Sequence, residues 1–546
     1  MSRTAAQALV RGLERHGTEL AFCVPGESYI SVLDALHDSS IRLISTRHEA
    51  AAANMAEAYG KLTGRPGVCL VTRGPGTTHA SVGIHTAWQD STPLLLLVGQ
   101  VPRRLLGTDA FQEMDYERFL GSTAKAVFQP ASGDDLAAAV ARGFLAATEG
   151  RPGPVVIALP EDVLAETTEA EVVPLEADEP IAPDGDLKRL RALLEGAERP
   201  LVVVGEGGWS ERTAADVVAF CEANELPVAA SFRCQDYVDN TSRCYAGHLT
   251  LGMAPTLAEL VEESDLLLAI GGRLGDISTR GYSLLQGQTL VHVHPDPVEL
   301  RRVHEPALAV RSTVESFAEL ASRLDPVPRD PGRAAEAHEN YFATLCYKPA
   351  PGPVDVAAVM EHLRKRLPPD AILCSGAGNF TVWAHRFYVF RRYGTQLAPQ
   401  SGAMGYGLPA ALAARALHPD RIIVCLAGDG DFLMSAGELA TAIQYDLPVV
   451  ILLVNNGMYG TIRMHQERKY PGRVVGTDLV NPDFVRYAES FGAFGEAVAR
   501  TDEFPAAFER ALTAGTPALL ELRVDPEALS PGQTLSEARA SGASAR

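Results

Sequence analysis

Apolar runs rich in Val, Ile and Leu, such as VCLVT (68–72) and PVVILLV (448–454), alternate along the chain with amphipathic stretches and Gly-rich turns. That alternation predicts parallel βα units throughout. Two polar, Pro-rich segments, roughly 168–187 and 324–353, interrupt it and read as linkers. The expected organisation is therefore α/β, with three parallel-sheet domains over 1–168, 187–325 and 353–526. The Ser-, Ala- and Gly-rich tail beyond about Pro526 is expected to fray.

Composition narrows the function. With 546 residues, 46% hydrophobic and 21% charged, the chain has the make-up of a globular protein large enough for several cores. A formal net charge of −20 argues against nucleic-acid or anionic-membrane partners, which want a basic face. No apolar run reaches membrane-spanning length, and the N-terminus lacks a signal-peptide core. The eight cysteines are scattered without a CxxC pair, so a reducing cytoplasm is the expected compartment.

The sharpest chemical signal lies near the C-terminus. The run RIIVCLA (421–427) reads as a buried strand ending in Gly428, Asp429, Gly430 and Asp431. A helical stretch (MSAGELATAIQY) follows, then a second strand ending in Asn455 and Asn456. This β-α-β unit sets polar groups at strand carboxyl ends, where α/β sheets place ligands. Mg²⁺ wants hard oxygens and shares them with phosphates and water. Asp429, the Asn456 amide oxygen and the Met458 carbonyl would supply three. The glycines would let backbone approach a diphosphate. Alone, the GDG or the NN is a turn; together, GDG opening and NN closing the segment match the thiamine diphosphate signature.

With these motifs in view, nearly the whole chain resembles the acetohydroxyacid (acetolactate) synthase branch of thiamine diphosphate enzymes. The resemblance implies a pyrimidine-binding domain, a central domain related to dinucleotide-binding folds, and a diphosphate-binding domain. It implies that Glu49, in TRHEAAAANMAEAYG (46–60), protonates the cofactor's pyrimidine so that the thiazolium carbon is activated. By sequence alone Glu49 would be a helix-start carboxylate serving the macrodipole. Pro25 and Gly26 would shape the pyrimidine site, with Gly74 of RGPG, where Arg73 replaces the usual small residue. His79 reads equally as a structural polar group or a substrate contact. Phe111 and Gln112 of AFQE would line the channel to the reacting carbon, and Lys125 falls where the synthases have an active-site lysine.

In QSGAMGYGLPAA (400–411), the resemblance makes Met404 the wedge that bends the cofactor and the Gly402 carbonyl an acceptor from its amino group. Gly376 and Asn379 would meet the phosphate end, where Phe380 replaces a histidine, and Tyr459 would join the cofactor contacts. The match thins at Thr461, Ile462 and His465, which would lie on the acceptor side in place of Met, Val and Trp. Central segments such as VVVGEGGW (202–209) and LLLAIGGRLGD (266–276) resemble flavin-binding segments. FAD and ordinary strand-to-helix turns both stay open as readings.

The resemblance implies a carboligase that decarboxylates a donor 2-oxo acid and joins it to a second carbonyl, with 2-oxo acids or aldehydes as substrates. The alternative is a related thiamine diphosphate aldehyde lyase, 2-oxo acid decarboxylase or diketone-cleaving enzyme. A non-catalytic scaffold would have lost Glu49, Asp429 or Asn456, and all three are present. The implied assembly is a homodimer or homotetramer with the active site at the subunit interface.

Overall fold

The computed structural model describes residues 3–544. The chain divides into two compact units. The first comprises Met1–Asp178, Pro399–His418 and Ser435–Leu447, and the second comprises Glu179–Ala398, Pro419–Met434 and Pro448–Arg546. Among the described residues no helix is long and apolar enough to cross a membrane. All eight cysteines are free, and all but Cys346 are buried.

The first unit is built on six parallel strands: β1 (Leu20–Cys23), β2 (Arg42–Ser45), β3 (Gly67–Val71), β4 (Leu94–Gln100), β5 (Ala126–Phe128) and β6 (Pro154–Pro160). Their spatial order is β2-β1-β3-β4-β6-β5. Strands β3, β4 and β6 are buried along their whole length, as apolar strands covered on both faces should be. Helix α1 (Glu49–Thr63) starts at an N-cap His48, whose Nδ1 accepts from the Ala50 amide, and stops at Gly64, φ 68°. Helix α2 (Gly74–Asp90) begins with Pro75 in its first turn.

Small residues bring these helices unusually close. A Cβ added to Gly83 of α2 would overlap the side chain of Ala53 in α1. The equally Ala-rich helix Gly407–Leu417 also packs on α1, and Tyr406 donates to the fully buried Glu57. Burial raises the Glu57 carboxyl above its ordinary range. Helix α1 is thus held by small-residue contacts and a buried hydrogen bond, which fixes its first residue, Glu49.

The second unit contains two further parallel sheets. The central one has β7 (Pro200–Val204), β8 (Val228–Ala230), β9 (Tyr245–His248), β10 (Leu266–Ile270), β11 (Thr289–His294) and β12 (Leu308–Arg311), ordered β9-β8-β7-β10-β11-β12. Counted along the domain this is 3-2-1-4-5-6, the order of dinucleotide-binding folds. The third has β13 (Ile372–Ser375), β14 (Gln396–Leu397), β15 (Ile423–Gly428), β16 (Val450–Asn455), β17 (Phe494–Val498) and β18 (Ala518–Arg523), ordered β14-β13-β15-β16-β18-β17. The first and third sheets therefore share one order, 2-1-3-4-6-5.

Three expectations are corrected. The supposed linker 324–353 contains a helix, Gly332–Ala343, which buries Ala334, Ala337 and Tyr341 on one face and packs on β9. Its apolar residues recur at helical spacing within a polar composition. The stretch after GDG is not one helix. A single turn (Asp429–Phe432) leads into a 3₁₀ turn and then the helix Leu439–Gln444. The described part of the tail is not irregular, since it forms the helix Leu535–Ser544. Leu535 and Ala538 pack with Met458 and Leu529, and Arg539 binds the buried Glu467 at 2.8 and 3.0 Å. The tail thereby buttresses the turn that carries Met458.

Hydrogen bonds led by Arg539 hold the Glu467 carboxyl down to about 2. A depressed acid stabilises the fold above its unfolded value and loses that contribution as pH falls through its folded one. Tail docking should therefore persist at pH 5 and weaken as pH drops toward about 2. Arg539→Ala should loosen it by roughly 1–3 kcal/mol, read as faster hydrogen exchange confined to 535–544. Unchanged protection would assign docking to the apolar contacts alone.

Candidate functional site

In open parallel sheets, ligands meet the chain where the strand order reverses. For the first sheet this is the gap between β1 and β3, and Gly26, Gly74, Glu49 and Gln112 come together there. Gly26 follows β1 so closely against the end of β3 that a Cβ would stand 2.6 Å from Thr72 Cβ. Ser28 and Thr72 hydroxyls bond at 2.9 Å across the same gap. Arg73 fits beside it because its guanidinium pairs with Glu27 (2.9 Å) and Glu161 (3.1 Å). Glu49 is mostly buried, and a Cβ on Gly76 would lie 3.6 Å from its Oε1. Its Oε2 bonds His79 Nδ1 at 2.9 Å, and the His48 ring stacks on His79 at 4.7 Å.

Gln112 completes this group. Its carbonyl accepts from the Gly74 amide at 3.1 Å, its backbone is left-handed (φ 63°), and its buried Oε1 has no partner among the described residues. A strained residue with an orphaned buried acceptor is a mark of a ligand-facing position. Phe111 beside it is 78% exposed. In the segment that closes this unit, Gly402 adopts φ 68°, and its neighbours are anchored by Gln400 to Asp90 (2.7 Å) and Ser401 to Thr86 (3.0 Å). Met404 follows half-buried.

The third sheet reverses between β13 and β15. Gly376 and Ala377 leave β13 directly against Asp431, whose Oδ1 accepts from the Ala377 amide at 3.2 Å. A Cβ on Gly376 would overlap that carboxylate. Asp429 is buried at the end of β15. Its Oδ1 accepts from Gly430, and its Oδ2 from the Gly457 amide (2.8 Å) and Asn481 Nδ2 (2.7 Å). Burial raises its carboxyl above the usual range, and among the described residues no cation pairs with it. Asn456 Oδ1 accepts from the Met458 amide at 3.2 Å, and the Tyr459 ring covers Gly430.

Models of three domains match this chain: the N-terminal TPP binding domain of thiamine pyrophosphate enzymes over residues 3–119, their central domain over 187–320, and their C-terminal TPP binding domain over 376–522. The acetolactate synthase large subunit of Parasynechococcus marenigrum is 33% identical over 95% of this chain and 87% of its own. The chain belongs to the thiamine pyrophosphate enzyme family. The acetolactate synthase isozyme 2 large subunit of Escherichia coli is 30% identical over 95% of each chain. The large subunit from Corynebacterium glutamicum is 32% identical over 93% of this chain and 84% of its own.

The strand ends suit the cofactor of thiamine pyrophosphate enzymes, thiamine diphosphate. One reversal offers glycine-lined space beside a carboxylate and an unpartnered amide oxygen. The other offers a buried carboxylate and, next to it, Asn481 Oδ1, the first without a cation and the second without a donor among the described residues. Such orphaned oxygens call for an ion or ligand.

Two expected residues have other engagements. Lys125 Nζ donates to the Glu149 carbonyl at 2.6 Å, at the end of the helix Gly133–Thr148, where the dipole favours a cation. Thr461, expected on the acceptor side, accepts from the Asn379 amide and donates to its Oδ1, both at 2.9 Å. Ile462 and His465 remain exposed on the helix Gly460–Lys469. Sequence reasoning missed Asn481, which also bonds Asn455 Oδ1 at 3.0 Å. It lies outside the NN segment, in a loop without distinctive composition. Phe380 was noted only as a replacement, yet its ring lies on the strand end, 2.7 Å from where a Gly428 Cβ would be.

Gly376→Ala should force the buried Asp431 carboxylate aside and destabilise the second unit by about 1–3 kcal/mol, measured as a lowered denaturation midpoint. An unchanged midpoint would show that the carboxylate moves freely.

Proposed function

We propose that this protein is a thiamine diphosphate-dependent carboligase of acetolactate synthase type, joining a decarboxylated 2-oxo acid donor to a carbonyl acceptor. The observation that carries the reading is the grouping of Glu49, His79, Gly76 and Gln112 at one strand-order reversal, in a chain similar along 95% of its length to named acetolactate synthases. When bound, thiamine diphosphate supplies the nucleophilic carbon and the electron sink that such chemistry needs.

Glu49 is the proton-transfer group, placed at the first residue of a helix whose packing leaves it little freedom. His79 holds Glu49 Oε2 and orients the carboxyl. Gln112 offers its free Oε1 to donors on bound substrate, and Phe111 screens the approach. Pro25, Gly26 and Gly74 shape the ring pocket with Met404 and Gly402. Asp429, Asn456 and the Met458 carbonyl would hold Mg²⁺, with Asn481 orienting Asp429. Gly428, Gly430, Asp431, Gly376, Asn379 and Tyr459 receive the diphosphate. Thr461 acts through Asn379, which leaves Ile462 and His465 as the acceptor-side candidates. The departures from the synthase pattern at Thr461 and His465 support a second reading, a related lyase or decarboxylase that takes a different donor or acceptor.

Pyruvate with Mg²⁺ and cofactor should yield acetolactate; acetaldehyde alone, or no product, would overturn the synthase reading in favour of the second. Glu49→Gln should retain bound cofactor while lowering kcat by roughly 10²–10⁴-fold; an unchanged rate would remove Glu49 from the chemistry. The minimum active unit is a homodimer, in which the two cofactor-binding regions come from different chains. Light scattering of the active enzyme should give at least a dimer, and a turning-over monomer would refute the arrangement.

A further inference from the structure

The central sheet has the order of dinucleotide-binding folds, and its reversal lies between β7 and β10. A dinucleotide's diphosphate sits at such a reversal, on the amides of the first strand-to-helix turn. In this protein the chain's own groups fill that place. Glu206, two residues beyond β7, is only 6% exposed. Its Oε2 accepts from the Arg273 amide at 2.9 Å, and its Oε1 lies 3.7 Å from the Arg273 guanidinium. A carboxylate thus already stands in the first strand-to-helix turn, engaged with an amide and a guanidinium of the loop after β10.

The neighbouring space is closed as well. A Cβ on Gly205 would stand 2.6 Å from Ser231 Oγ and 3.0 Å from Gly272 Cα, so the loops after β7, β8 and β10 are in contact. A Cβ on Gly271 would lie 2.8 Å from the Gly205 carbonyl. The buried Trp209 donates to that carbonyl at 2.8 Å and packs on Tyr237 at 5.1 Å. Ser210 then caps the following helix, Glu211–Ala223, by accepting from the Thr213 amide. Bringing a diphosphate here would set its charge against a buried carboxylate, where repulsion is weakly screened.

We propose that Glu206 is a built-in anion standing where a dinucleotide's diphosphate would lie, so that the central domain is complete without flavin. This goes beyond the carboligase reading and does not rest on it. The test uses the enzyme with thiamine diphosphate and Mg²⁺, incubated with FAD, desalted and denatured for flavin absorbance. No retained flavin is expected; an amount approaching one per chain would overturn the proposal. Glu206→Gln keeps the shape and removes the charge. It should lower Tm, and ADP should raise the variant's Tm saturably, with affinity at least about tenfold above the wild type's. A variant as stable as wild type, or one destabilised but indifferent to ADP, would assign Glu206 a packing role and defeat the proposal. Glu206→Gly, read the same way, covers failure of the first variant to fold.

Discussion

Strands inside a parallel sheet can present unpaired backbone groups to a ligand only at their ends, and the gap opens where neighbouring connections run to opposite sides of the sheet. This constraint organises the molecule. Each of its three sheets has such a reversal beside its first strand, lined by glycines whose missing side chains let adjacent loops touch. What differs is what stands in the gap. In the first sheet it is Glu49 with His79 and the strained Gln112. In the third it is Asp429 among amide donors and asparagines. In the central sheet it is Glu206, bonded back to the chain.

Carboxylates at all three gaps have different electrostatic surroundings. Glu206 has both a backbone donor and a guanidinium, so its charge is answered internally. Asp429 has three donors but no cation among the described residues, and burial works against its charge. A divalent ion would answer that deficit. Glu49 has a histidine partner and a nearby glycine loop, a setting that fits the proton-transfer role proposed for it. The same residue class thus stands in three different settings: answered by a cation, buried among neutral donors, and paired with a histidine.

Precision at Glu49 depends on parts of the chain far from it in sequence. Helix α1 is alanine-rich, so helix α2 and the helix Gly407–Leu417 approach it closely, and the buried Tyr406–Glu57 bond ties one of them down. The tail performs a similar service in the second unit, where its helix packs on Met458 and pairs Arg539 with Glu467. A segment whose composition suggested disorder is therefore part of the support for the turn after β16.

The sequence by itself determined the α/β class, the strand-end motifs and the family resemblance, because apolar runs and glycine-bounded turns are local signals read within a few residues. Asp429 and Asn456 were singled out by such strand-end signals, whereas Glu49 and Gln112 were singled out only by the family resemblance. Tertiary structure alone decided that the first and third sheets share one strand order, since topology leaves no mark on residue identity. It alone joined His79 to Glu49, Asn481 to Asp429 and Thr461 to Asn379, and it sent Lys125 to cap a helix. Each of those is a contact between side chains brought together by the packing of separate elements, and no spacing along the chain encodes it.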